Sequence, residues 1–131
     1  MTEIRFPRMP DDPPVVTVVT VVRNAVATVE ATIQSVLSQD YPAIEYVVID
    51  GLSSDGTLDV IRRYRDRIAA FRSERDAGIY DAMNKGAGIA TGDWIIFMNA
   101  GDTFRTPETL SRLLPHLRSS ADVICGATEQ V

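Results

Sequence analysis

The chain has 131 residues, of which 45% are hydrophobic and 24% charged, and its formal net charge is −5. This length and composition suit one ordinary globular domain with a core of its own. The acidic balance argues against a nucleic-acid-binding surface, because phosphate backbones are bound by clustered Lys and Arg.

The N-terminal half begins with a predicted flexible tail over residues 1–14, which hold four of the seven prolines and three acidic residues. The domain is then expected to span residues 15–131. Its first predicted strand covers 15–22, where the sequence VVTVVTVV is typical of a strand buried on both faces. A helix follows, because apolar residues recur at helical spacing at Val29, Ile33, Val36 and Leu37.

The same alternation of strand and helix continues through the rest of the chain. The predicted elements are a strand over 44–49, a helix carrying Leu58, Ile61, Tyr64 and Ile68, a short strand at Phe71, a helix marked by Ile79, Met83, Ala87 and Ala90, a strand over 94–98, a last helix with Leu110, Leu113, Leu114 and Leu117, and a further strand at Val123–Cys125.

This alternation predicts an α/β fold: a three-layer, Rossmann-like, mostly parallel sheet with helices on both faces. Ligands of such sheets bind beyond the carboxyl ends of the strands. The polar residues that follow each strand are therefore the candidate site residues.

Polar turns follow the first two strands. Arg23 and Asn24 end the first, and this loop either approaches a flat nucleobase or uses Asn24 and Thr28 to cap the next helix. Asp50 ends the second strand before a Gly-rich turn. Its carboxylate either accepts hydrogen bonds from a base or ribose, or binds the amides of Leu52 and Ser53 within the turn.

A polar segment, SERDAGIYDAMNKG, leads into the third helix. Asp76 either caps that helix or belongs to a ligand site. Asn84 and Gly86 are both poor helix formers, and a packed polar site explains their closeness. Lys85 either reaches a phosphate or is solvated.

The fourth strand ends in Asn99-Ala100-Gly101-Asp102. One carboxylate after a buried strand suits a hard cation that keeps several waters and takes other ligands from a diphosphate. The alternative is a plain β-turn with Asp102 at its last position.

Four segments, in this order, resemble the family-2 glycosyltransferases with the glycosyltransferase-A fold: VTVVTVVRN, SVLSQDYPAIEYVVIDGLSSDGT, SERDAGIYDAMNKG and ATGDWIIFMNAGD. The chain looks like the N-terminal, nucleotide-sugar-binding part of such an enzyme, in a branch that resembles polysaccharide and lipopolysaccharide transferases. The resemblance implies inverting transfer of a sugar from a nucleotide diphosphate, a UDP-sugar above all, to a saccharide or lipid-linked acceptor hydroxyl. It also implies a divalent cation, Mn or Mg.

Carried over by position, the resemblance assigns Val21–Asn24 and Asp50 to a nucleoside pocket, Asp76 and Lys85 to the diphosphate and sugar side, and Asp102 to a metal position. The residues implied to bind the sugar donor are Val21, Val22, Arg23, Asn24, Asp50, Ser53, Asp76, Lys85 and Asn99, and the residue implied to bind the metal is Asp102.

The sequence departs from the family pattern at several positions. Gly51 stands where a second acid is common, Met83 replaces an Arg, and Asp102 is the one carboxylate of the metal motif. The family's catalytic base comes from the second half of the fold, so none is expected within this chain. Alone, the chain is expected to bind the sugar donor weakly and to transfer little or no sugar.

The sequence bears on three alternative functions. A non-catalytic, truncated nucleotide-binding module remains open. A signalling receiver domain needs an acidic pair after the first strand, where this chain has Val22-Arg23-Asn24. A dinucleotide-binding oxidoreductase needs G-x-G-x-x-G there, which is absent.

A cytoplasmic location is expected, with docking at the inner face of the membrane left open. The chain has one cysteine, Cys125, so a reducing compartment is the default. Its N-terminal residues lack the apolar run of a signal peptide. An exposed apolar edge would favour self-association.

Overall fold

A four-stranded parallel sheet organises residues 12–119, which are the residues described by the computed structural model. Its strand order is β3-β2-β1-β4. The strands are β1 (Val16–Val22), β2 (Ile44–Asp50), β3 (Ala70–Ser73) and β4 (Trp94–Phe97). The helices are α1 (Val29–Leu37), α2 (Thr57–Arg62), α3 (Ile79–Ile89), α4 (Thr109–Arg112) and α5 (Leu114–Leu117).

Helices cover both faces of the sheet, because alternate side chains of a strand point to opposite faces. On one face, Val18 and Val48 pack in a core with residues of α1, α2, α4 and α5. On the other face, Val19 and Ile49 pack with Ala82 of α3. The predicted three-layer α/β architecture is confirmed.

The strand order reverses between β1 and β4. The chain runs outward from β1 to β3 with α1 and α2 on one face, then returns through α3 on the other face to β4. Crevices at the carboxyl ends of strands beside such a reversal are the usual ligand sites of parallel sheets.

Helix α3 lies unusually close to β1, and Gly86 is the reason. A Cβ built at Gly86 would lie 2.4 Å from Val19 Cγ1. Gly86 is buried, whereas Asn84 is exposed. The expectation that one packed polar site explains both residues is therefore wrong: Gly86 is a packing position against the sheet.

Two predicted helices are shorter than expected. Helix α2 ends at Arg62, a 3-10 turn follows at Arg65–Arg67, and Ile68 is extended. The single last helix is divided into α4 and α5. Pro115 lies in the first turn of α5, where its missing N–H cannot continue the hydrogen bonds of α4.

Residues 1–11 of the predicted tail and the predicted strand at Val123–Cys125 lie outside the described residues. Within the tail, the Pro14 carbonyl accepts a hydrogen bond from the Tyr41 hydroxyl. Between residues 12 and 119, no helix is long and apolar enough to cross a bilayer.

Candidate functional site

An open cleft of about 410 Å³ lies at the carboxyl ends of β1, β2 and β3. Its lining residues are Arg23, Gly51, Leu52, Arg75 and Asp76. They come from three loops that are distant in sequence but adjacent in the sheet. The cleft is therefore a product of the parallel topology.

Asp50 lies beneath this cleft and is fully buried. Its Oδ2 accepts hydrogen bonds from the Ser53 amide at 2.9 Å and the Ser73 hydroxyl at 2.8 Å, and its Oδ1 accepts one from the Ser53 hydroxyl at 2.6 Å. The carboxylate thus joins the β2 turn to β3. A phosphoacceptor aspartate must be reached by its phosphodonor, so this burial gives no support to the receiver-domain alternative.

The loops after β1 and β2 are joined to each other by hydrogen bonds. Asn24 Oδ1 accepts from the Ser54 amide at 2.8 Å, and the Asn24 amide donates to Ser53 Oγ at 2.8 Å. The Gly51 amide donates to the Val22 carbonyl at 2.9 Å. The alternative in which Asn24 caps α1 is wrong, because its side chain is bonded to the neighbouring loop.

Two further contacts extend this connection to α2. The Ala25 amide donates to Thr57 Oγ1 at 2.9 Å, and the Val26 amide donates to Asp55 Oδ2 at 3.2 Å. Asp55 also accepts from the amide of Thr57, the first residue of α2, at 3.0 Å. The Thr57 hydroxyl is the main cause that lowers the pKa of Asp55. The Asp55 carboxylate therefore bonds both the first amide of α2 and the loop after β1.

The loop between β3 and α3 carries the acid of the cleft. Asp76 Oδ1 accepts from the Gly78 amide at 3.1 Å. Lys85 Nζ donates to the Arg75 carbonyl at 2.8 Å and lies 3.4 Å from Glu74 Oε1 and 3.6 Å from Asp81 Oδ2. Lys85 therefore holds this loop onto α3.

The loop after β4 lies at the same edge of the sheet, where the Ala100 amide donates to the Val21 carbonyl at 3.1 Å. Gly101 has a φ of 103°, and the Asp102 amide donates to the Asn99 carbonyl at 2.9 Å. The predicted β-turn is thus formed, with Asp102 exposed. Asn99 Oδ1 is buried and has no hydrogen-bond partner in the described chain.

Of the residues implied to bind the sugar donor, Arg23 and Asp76 line the cleft. Asn24, Ser53 and Asp50 support it from the connected loops, and Lys85 supports the opposite loop. Val21 and Val22 belong to the core, each with 5% exposure. Asn99 and Asp102 lie on the neighbouring β4 loop.

Sequence reasoning missed three lining residues: Gly51, Leu52 and Arg75. Arg75 was adjacent to a candidate acid in the polar segment. Leu52 carried a weaker signal, an apolar residue within a polar turn, and it has a φ of 56° with 53% exposure.

Comparison with known proteins places these features in a family. The sequence profile described as Glycosyl transferase family 2 matches residues 17–131. A PGL/p-HBAD biosynthesis glycosyltransferase of Mycobacterium bovis (strain BCG / Pasteur 1173P2) is 32% identical over 108 residues, which cover 79% of this chain. The putative teichuronic acid biosynthesis glycosyltransferase TuaG of Bacillus subtilis (strain 168) is 34% identical over 103 residues, or 76% of this chain.

The solved structures give the same result. The mannosyltransferase PcManGT from Pyrobaculum calidifontis, in complex with GDP-Man and Mn²⁺, superposes with a TM-score of 0.76 and 28% identity, over 85% of this chain and 34% of its own. The chain spans only 42% of the mycobacterial relative and 41% of TuaG.

Proposed function

Because the chain belongs to glycosyltransferase family 2, we propose that it carries the part of a sugar transferase that binds a nucleotide-diphosphate sugar. In the full enzyme, the sugar passes to an acceptor hydroxyl with inversion at the anomeric carbon. The chain spans 42% of the mycobacterial relative, and the cleft at the strand ends supports assigning residues 15–131 to the half that binds the sugar donor.

The cleft is the observation that carries the proposal. It combines one carboxylate, two guanidinium groups and an exposed apolar side chain at the ends of adjacent parallel strands. Guanidinium groups pair well with phosphate oxygens, and the Leu52 side chain offers apolar surface to a flat base. A nucleoside diphosphate needs both kinds of surface.

The β4 loop fits a divalent cation of limited protein coordination. No cluster of three or more His, Cys, Asp or Glu side chains suited to a metal is found among residues 12–119. Asp102 is an exposed carboxylate, and Asn99 Oδ1 is a buried oxygen that lacks a partner in the same stretch. Mg²⁺ commonly binds through one or two carboxylates together with substrate phosphates.

We assign the cation, Mn or Mg, to Asp102, with Asn99 beside it on the sugar-donor side. When bound, such an ion supplies positive charge against the departing nucleoside diphosphate. Arg23 and Arg75 hold the anionic donor in the cleft, and the connected loops after β1 and β2 fix its position. The base that deprotonates the acceptor is assigned to the half of the enzyme beyond Asp102.

The acceptor and setting are proposed from the relatives. TuaG is named for teichuronic acid biosynthesis, which supports a saccharide or lipid-linked acceptor in cell-surface polysaccharide synthesis. A UDP-sugar is the proposed donor, although PcManGT was solved with GDP-Man. We further propose a cytoplasmic location, peripheral at the inner face of the membrane, and self-association of the chain, which sedimentation velocity tests.

The test is calorimetric titration of the chain with UDP, GDP and dTDP, with and without manganese. We expect one nucleotide to bind, and to bind more tightly with manganese. Asp102→Asn should weaken the manganese-dependent binding by about tenfold, the effect of losing one contact to a charged group. Asp66→Asn, at another exposed aspartate, is the matched control and should leave binding unchanged.

A turnover assay with UDP-sugars tests whether the chain alone transfers sugar, and repeating it with the remaining half of the enzyme supplied tests the non-catalytic alternative. Binding without appreciable transfer supports a chain that holds only the sugar-donor half, and a non-catalytic module gives the same result until the remaining half is supplied. Robust transfer by the 131-residue chain contradicts that division. Absence of any nucleotide binding contradicts the proposed function itself.

A further inference from the structure

The Asp76 carboxylate occupies the space in the cleft that a side chain at position 51 would need. A Cβ built on Gly51 would lie 2.7 Å from Asp76 Oδ2, closer than real Cβ atoms approach a neighbour, and 3.5 Å from Arg23 Cβ. The positive-φ glycines between residues 12 and 119 are Gly56, Gly78 and Gly101. The backbone conformation at position 51 therefore does not require glycine. What requires glycine there is the Asp76 carboxylate, which fills the space beside it.

The Asp76 carboxylate has one oxygen in use and one turned to the cleft. Oδ1 accepts a hydrogen bond from the Gly78 amide, and the backbone of the loop is tied to α3 by the Lys85–Arg75 contact. Oδ2 lies against Gly51, and no residue of the described chain donates a hydrogen bond to it. An ionised carboxylate only accepts hydrogen bonds, so a ligand at this oxygen must bring a donor.

The surroundings of Oδ2 suit the edge of a nucleobase. Leu52 supplies an apolar surface and Arg23 a guanidinium plane, and both line the same cleft. Uracil, thymine and guanine have a ring N–H on their pairing edge. Cytosine and adenine have a ring nitrogen acceptor at that position, which an anionic oxygen repels.

We infer that Asp76 Oδ2 accepts a hydrogen bond from the ring N–H of the nucleobase, which we call its base-reading role. Gly51 is a positioning residue that leaves room for the Asp76 carboxylate. The inference rests on the proposed function and deepens it, since it restricts the sugar donor to uracil, thymine or guanine nucleotides. It moves Asp76 from the diphosphate and sugar side, where the family resemblance implied it, to the base. The buried Asp50 then supports the turn and does not contact the ligand.

The test is an NMR titration of the ¹⁵N-labelled chain with UDP, GDP and CDP in magnesium buffer. UDP and CDP differ at the pairing edge, where N3–H and the 4-carbonyl of uracil are replaced by an acceptor N3 and an amino group. We expect UDP or GDP to bind at least about tenfold more tightly than CDP, since sites built for a hydrogen bond reject ligands that leave it unmade. Asp76→Asn keeps the shape but adds a donor, and it should bring the ratio of the two dissociation constants close to one.

The Gly51→Ala variant should also lose the preference for UDP or GDP over CDP, because the alanine methyl group displaces Asp76 Oδ2. The Gly78 amide resonance reports this displacement without any ligand, and it should move in Gly51→Ala as it does in Asp76→Ala. In the Asp76→Ala background, Gly51→Ala should cause no further loss of affinity. Gly88→Ala is the matched control, because a Cβ there has no neighbour within 4 Å.

The outcomes distinguish the two proposals. A wild-type chain that binds UDP, GDP and CDP equally overturns the base-reading role and leaves the proposed function standing. Retained discrimination and an unmoved Gly78 resonance in Gly51→Ala overturn the positioning role. A chain that binds none of the three nucleotides contradicts the proposed function, and the base-reading role with it.

Discussion

Ser53 illustrates how much of the site depends on a single hydroxyl group. It donates to the buried Asp50 carboxylate at 2.6 Å and accepts from the Asn24 amide at 2.8 Å. One side chain thus satisfies a buried charge and joins two loops. Buried carboxylates need such donors, because an ionised group without partners is costly inside a protein.

Ser53→Ala should lower the free energy of unfolding by about 1–3 kcal/mol, the cost of leaving a buried acceptor and its neighbour without partners. Ser54→Ala is the control, because Ser54 is exposed and bonds through its backbone amide. Urea denaturation followed by circular dichroism measures both. Equal midpoints for the two variants contradict the role assigned to the Ser53 hydroxyl.

The sequence predicts site residues best where a polar side chain follows a strand. Arg23 and Asp76 satisfy that rule, and both reach the cleft. Gly51 and Leu52 do not, because one contributes empty space and the other apolar surface. Asp50 satisfies the rule but is buried, since the serines that bond it come from the turn after β2 and from β3, a contact that spacing alone does not reveal.

At the scale of elements, α3 shows a limit of periodicity. Ile79, Met83, Ala87 and Ala90 mark the helix, but its buried positions are Ala82 and Gly86. Ile79 is 48% exposed. The helix packs through its smallest residues because it approaches β1 closely, and hydrophobic spacing carries no information on interaxial distance.

The two glycines near the end of α3 should respond oppositely to alanine. Gly86→Ala places a methyl group against Val19 and should cost about 1–3 kcal/mol through overpacking. Gly88→Ala meets open space and should be neutral or stabilise the protein by up to about 1 kcal/mol, because alanine favours the helix. Thermal unfolding measures both, and equal shifts would contradict the close approach of α3 to β1.

At the scale of the molecule, the alternation of strands and helices was enough to predict the α/β class. The strand order was not predictable, because the pairing of β4 with β1 joins residues far apart in the chain. The opposed cores on the two faces share β1 and β2. Their stabilities are therefore expected to be coupled.

Ile33→Ala and Ile49→Ala test this coupling from opposite faces. Both side chains are almost fully buried, so each change should cost about 2–5 kcal/mol. Trp94, the one tryptophan, packs on the Ile33 face. The unfolding transition measured by Trp94 fluorescence should nevertheless shift in Ile49→Ala. It should coincide with the transition measured by circular dichroism. Separate transitions would indicate that the two faces unfold independently.

The hydrogen bonds between the loops after β1 and β2 also affect the thermodynamics of recognition. That wall of the cleft has its amides engaged before any ligand arrives, so little ordering remains there. The facing segment, Glu74–Gly78, is joined to β2 by the hydrogen bond from the Glu74 amide to the Asp50 carbonyl and is otherwise held through Lys85 and Asp81 of α3. Most of the conformational entropy lost on ligand binding is therefore expected in this segment. The affinity for the ligand will depend on how tightly two side chains of α3 restrain it.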